Sequence, residues 1–246
     1  MRKFSVLLGC VLAALAVTGC TAGDNASEVQ ESYSQAEISS ESETSSSQED
    51  SATAAALELV QEANCDVPDF LTPEQQTLYR KAKTAYNQFT LYTDGFGSTE
   101  YTPVEVKGYS GAFYVGNGSI TTWADFKAAM LGLFTPEYLD ELNYNFVKRE
   151  NGAEDHYAHF VDYQGRLAFA DGARGSNPLR LPPDRFELIS ETEDEIRFYV
   201  IGTYQDYVEN DAGELVQEGG VTEEKKEIVL TRTDAGWRFS QFAVTY

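Results

Sequence analysis

Few side chains in this sequence have the type and spacing for catalysis or metal binding. His156 and His159 are the two histidines among 246 residues. Three positions apart they would share a helix face, but residues 157–163 alternate like a strand. In a strand, positions three apart point to opposite faces, so the imidazoles diverge. Asp162, His159 and Glu187 are the candidates for an acid–base pair, and none sits at a spacing that marks a known mechanism. Lone carboxylates are mostly solvated, and this chain has 40 acids. There is no Gly-rich phosphate loop, nucleophile elbow or paired metal motif. The reading is therefore no catalytic residue, no metal and no cofactor.

One segment is less ordinary. Residues 165–177 run from a strand into a loop holding two glycines, an acid and an arginine. Glycine permits backbone conformations that other residues resist, so such a loop can present Asp171, Gly172, Arg174 and Gly175 to a protein partner. The competing reading is a purely structural turn. Cys65 lies before Pro68 with no histidine nearby in sequence, and reads as an incidental thiol. With 15 Tyr and 14 Phe the chain has enough rings to line a sugar or peptide cleft, but rings at alternate strand positions are more often core.

The N-terminus carries its own chemistry. Arg2 and Lys3 precede an apolar run over residues 6–17, which is followed by Thr18, Gly19 and Cys20. About a dozen apolar residues are too few to cross ~30 Å of hydrocarbon, but suit a cleaved signal peptide. Residues 17–20 resemble the bacterial lipobox, in which the cysteine is acylated and becomes the mature N-terminus; the alternative is an ordinary secretory signal. The expectation is a signal over 1–19, a lipid on Cys20 and a location on the outer face of the cytoplasmic membrane. Residues 21–55 hold ten serines and eight acids with no Lys or Arg. Such a stretch cannot bury enough apolar surface to offset its ordering entropy, so residues 20–55 read as a disordered tether.

What remains, residues 56–246, is the right size for one domain. The whole chain is at −22, and the part beyond residue 55 is near −16 once the tether's eight acids and the leader's two bases are set aside. Nucleic acid is excluded as a partner, because binding it depends on cations that neutralise phosphates. A basic protein surface, or a cleft that normally takes an anionic ligand, would attract this domain.

Helix signals come first. Thr72, Pro73 and Gln75 form an N-cap, a first-turn proline and a capping-box partner, and Leu78, Ala82, Ala85, Tyr86 and Phe89 repeat at helical spacing. A second start falls at Thr122–Asp125, with Phe126, Met130, Leu133 and Phe134 as its stripe. A third falls at Thr135-Pro136-Glu137. After about residue 156 the pattern turns to strands: 157–163 and 166–170 about Gln164-Gly165, 186–190 and 196–204 about an acidic turn, and 227–232 and 237–244 about residues 233–236. Residues 171–184 read as a long loop. Helices followed by meandering strands imply an α+β fold, N-terminal helices on a curved antiparallel sheet, similar to NTF2-like and cystatin-like cones.

A narrower resemblance rests on several short motifs: Tyr114, residues 123–126, residues 133–138, residues 163–167, Asp171-Gly172 and residues 236–238. Their succession resembles the IseA-type family of secreted DL-endopeptidase inhibitors. That resemblance implies a protein that restrains NlpC/P60-type cysteine peptidases of the Gram-positive wall, with the Asp171 loop entering the peptidase cleft. The alternatives are an extracellular small-molecule or glycan-binding cone and, behind it, an enzyme using carboxylates within the cone.

Overall fold

The computed structural model describes residues 51–148, 154–170, 172–173, 179–209, 212 and 215–246. The expected signal over 1–19, Cys20 and most of the expected tether fall outside them. The described residues open with a helix, α1 (residues 51–57), which begins five residues inside the stretch assigned to the tether. Tertiary contacts hold it there: Ala56 is buried, Leu57 packs on Gly132, and Lys81 Nζ donates to Leu57 O at 2.7 Å.

Helix α2 (Pro73–Thr90) starts where the sequence places it. Gln75 N donates to Thr72 Oγ1 and Thr72 N donates back to Gln75 Oε1, satisfying two otherwise orphaned amides. Its buried face is Tyr79, Ala82, Ala85 and Phe89, while the expected Leu78 and Tyr86 lie at the margin, half-buried against the core. Helix α3 (Trp123–Leu133) is capped by Thr122, and its stripe of Phe126, Met130, Leu133 and Phe134 is fully buried. Helix α4 (Pro136–Asn143) follows after one extended residue pair, and Thr135 N donates to Phe239 O to lock that turn.

Four short strands go beyond the elements expected from the sequence, and they belong to three antiparallel sheets. β1 (Tyr92–Thr93), β2 (Tyr101–Val104) and β3 (Phe113–Gly116) fall between α2 and α3, and β4 (Tyr144–Lys148) follows α4. β2 carries Pro103 and is mostly exposed, so it has no alternation to read; pairing with β3 alone makes it a strand. The expected strand over 157–163 is broken at His159. β5 (Glu154–Ala158) pairs with β4, whereas β6 (Phe160–Tyr163) pairs with β7 (Arg166–Ala170). The turn between β6 and β7 holds Gln164 and Gly165 at φ 56° and 82°, the hairpin geometry that favours glycine, and Asp162 Oδ1 accepts from Gly165 N at 2.7 Å.

The larger sheet has the order β12-β11-β10-β9, all antiparallel: β9 (Arg180–Glu191), β10 (Glu195–Glu209), β11 (Leu215–Thr233) and β12 (Gly236–Gln241). β9, β10 and β11 run well beyond their expected limits, whereas β12 stops at Gln241, short of the expected residue 244. The stretch read as a loop over 171–184 contains β8 (Gly172–Ala173) and the start of β9. Register shifts at Arg197/Phe198, Ile201/Thr203 and Val229/Leu230 mark bulges, which increase local twist and bend the sheet around α2. The fold is α+β, as the order of elements implied.

The core lies between this sheet and α2. Tyr79 meets Phe186, Phe198, Phe239 and Phe242 at ring separations of 5.3–6.3 Å, and Phe70 closes on Phe198 at 5.4 Å. Each such ring buries 150–250 Å² in general, so this cluster dominates the hydrophobic stabilisation. No helix among the described residues is long and apolar enough to cross a membrane.

Candidate functional site

Of the acid–base candidates from the sequence, Asp162 and Glu187 lie in different sheets and His159 lies in a bend between strands. Asp162 is exposed on β6 and serves the turn to Gly165. His159 stands at the bend between β5 and β6, edge-on to Phe89 at 5.9 Å. Glu187 is on β9, in an exposed ion pair with Lys225 at 2.6 Å. His156 is exposed on β5, and among the described residues no three His, Cys, Asp or Glu side chains gather as a metal would require.

Of the loop residues, Asp171, Arg174 and Gly175 lie outside the described residues. Gly172 is described. It sits in β8, exposed, opposite Thr93 of β1, and Tyr92 pairs with Ala173. Thr93 is itself anchored, its hydroxyl donating to Gln88 O at 2.9 Å on α2. The residue following Asp171 is therefore rooted on the long helix through a two-residue ladder.

A second cluster was not expected. Asp184, on β9, has a side chain only 4% exposed. Lys83 Nζ reaches its Oδ2 at 3.1 Å, Thr245 Oγ1 donates to its Oδ1 at 3.1 Å, and Arg180 makes a further contact with the same Oδ1. Asp184 N donates to Asp66 Oδ2, and Arg180 Nε to Thr245 Oγ1. One residue thus ties four parts of the chain: its carboxylate reaches α2, β9 and Thr245, and its N–H reaches the segment before α2. Thr245 approaches so closely because residue 202 is glycine; an added Cβ would meet Thr245 at 2.5 Å. Burial pulls Lys83 below the ordinary lysine range, with Cys65 opposing that pull and Arg180 adding to it. Burial pushes the Cys65 thiol up, against Lys83 and Arg80, which leaves it in its less reactive protonated form.

The sequence does hold a signal for this cluster. Lys83 lies four residues after Tyr79 and three before Tyr86, so it falls on the apolar face of α2, where a lysine needs an acid. Which acid that would be was hidden in the segment read as a loop.

Tyr79 adds one oddity. It is fully buried, and its hydroxyl is the one buried side-chain polar atom among the described residues without a hydrogen-bond partner. A buried hydroxyl left unpaired costs ~1–3 kcal/mol. Tyr79→Phe is expected to be neutral or to stabilise the protein by up to ~1 kcal/mol in urea denaturation, since the ring contacts remain. A loss above ~1 kcal/mol would mean that the hydroxyl has a partner after all.

No protein-family model matches the chain, and no curated protein matches it in sequence.

Proposed function

We propose that this protein is an exported lipoprotein, acylated on Cys20, whose α+β domain binds and restrains a peptidoglycan DL-endopeptidase of the NlpC/P60 type outside the cytoplasmic membrane. The observation that carries the reading is the packed interior. Where a ligand-binding cone would keep a cavity between sheet and helix, Tyr79 packs against Phe186, Phe198, Phe239 and Phe242. The buried carboxylate there, Asp184, is engaged by two cations and a hydroxyl. Recognition is then a matter for the outer surface, which is strongly acidic.

The motif resemblance supplies the target class, and the chemistry is compatible with it. Stem peptides bear free carboxylates, so a peptidase that cleaves them accepts anions. A loop bearing Asp171 and rooted at Gly172 could occupy such a cleft without offering a scissile bond. Charge complementarity would raise the association rate and fade with salt.

The test is muropeptide release by purified NlpC/P60-type endopeptidases, with and without the full chain in detergent, at low and high salt. Dose-dependent, salt-sensitive slowing is expected, and Asp171→Lys should weaken it at least about tenfold, or ~1.4 kcal/mol. The reading is abandoned if several such enzymes are unaffected. If Asp171→Lys inhibits as well as the native chain, the loop is not the contact.

A further inference from the structure

An open groove of 510 Å³ lies where β10 and β11 leave the rest of the sheet, lined by Tyr204, Thr222, Glu223, Glu224, Lys226 and Tyr246. Tyr204 is the last β10 residue paired with β9, and beyond it the two strands continue as a two-stranded ribbon. The groove is thus floored by the ribbon's base and walled by the C-terminal tyrosine.

Both tyrosine hydroxyls are committed. Tyr204 OH donates to Glu224 Oε2 at 2.9 Å, while Tyr246 OH meets Thr90 Oγ1 and donates to Asn87 Oδ1 at 3.4 Å on the last turns of α2. Partial burial first, and the Glu224 hydrogen bond second, push Tyr204 up to about 12, so its proton stays in place at any physiological pH. The rings are thereby fixed before any ligand arrives, and preorganised walls lose little entropy on binding.

The groove's charges decide what could enter. Lys226 Nζ and Glu224 Oε1 stand 3.4 Å apart, both partly exposed, offering a donor beside an acceptor. Glu223 is engaged by Arg185. An anion would meet the field of a domain near −16. A cation would have to displace Lys226 from Glu224. An apolar ligand would strip water from that ion pair without replacing it. A neutral polyhydroxyl ligand meets none of these penalties, because neighbouring hydroxyls can satisfy ammonium and carboxylate together while C–H faces lie on the rings.

We infer that the Tyr204–Tyr246 groove is a binding site for a neutral oligosaccharide. The site goes beyond the peptidase reading and does not rest on it: an exported domain could use it to sit on wall glycan whether or not it restrains an enzyme.

The experiment is calorimetric titration of the full chain with two neutral probes, the β-1,4-linked tetrasaccharide of N-acetylglucosamine and cellotetraose. Saturable binding of at least one is expected, weakened about tenfold or more by Tyr204→Ala and retained largely in Tyr204→Phe, which keeps the ring. Glu224→Gln combined with Lys226→Met, at an exposed and a half-exposed position whose replacement should leave the far-UV circular dichroism unchanged, should also abolish binding. The inference is overturned if neither probe binds at about 10 mM, or if the Glu224/Lys226 double variant binds as the native chain does.

Discussion

Replacing Asp184 with alanine will destabilise the domain by about 3–5 kcal/mol in urea denaturation, lowering Tm by roughly 10 °C. The reason is what the change leaves behind. Lys83 and Arg180, with side chains 18% and 21% exposed, would lose the carboxylate that neutralises both. Removing one partner of a buried ion pair costs far more than the pair contributes, because the remaining charge stays desolvated. Thr245 and the chain end would also lose a shared acceptor. Glu187→Ala is the contrasting case: that acid pairs with Lys225, but both side chains are about half exposed, and the loss should stay below ~1 kcal/mol. A loss below ~1 kcal/mol for Asp184→Ala would show that water reaches the cluster and screens it.

Phe198→Ala is expected to cost a further, separate ~3–5 kcal/mol by the same measurement. The ring is fully buried and lies against Phe70 at 5.4 Å, Tyr79 at 6.3 Å and Phe186 at 6.4 Å. Those neighbours belong to α2, β9 and the segment preceding α2, so they cannot collapse together into the space. Phe198→Leu, which keeps much of the volume, should cost less than half as much. Equal losses for the two substitutions would mean that the interaction is specific to the ring and not a matter of cavity size.

These two residues also bear on function. If the interior is a packed and ionically tied scaffold, substitutions there should lower stability while leaving the folded protein's affinity for its partners unchanged. Substitutions at the Asp171 loop or the Tyr204 groove should do the reverse. Surface recognition predicts that separation; an interior ligand site predicts that stability and binding fall together.

Local signals carried a large part of the fold. The capping box at Thr72 and Gln75, the Thr122 cap and the apolar stripe of α3 were legible because each is set by residues within one or two helical turns. The Gln164-Gly165 and 233–236 turns were legible for the same reason, since turn chemistry is local. With the order of elements, they are enough to imply α+β. The charge balance argues against nucleic acid as a partner without any structure, because net charge is a property of the sequence.

Tertiary structure decided the rest. β2, with Pro103, and the first half of β9, with Pro182-Pro183, have no alternating pattern and become strands only because β3 and β10 supply their ladders. The charged run at Glu223-Glu224-Lys225-Lys226 is strand for the same reason. His159 breaks what reads as one strand because its two halves pair with different partners. The Asp184 cluster joins Thr245, Lys83 and Asp66 to Asp184 across 61, 101 and 118 positions, and Tyr246 of the groove meets Asn87 across 159. Spacing along a chain says nothing about such pairs; only the folding of the sheet over α2 brings them within hydrogen-bonding distance.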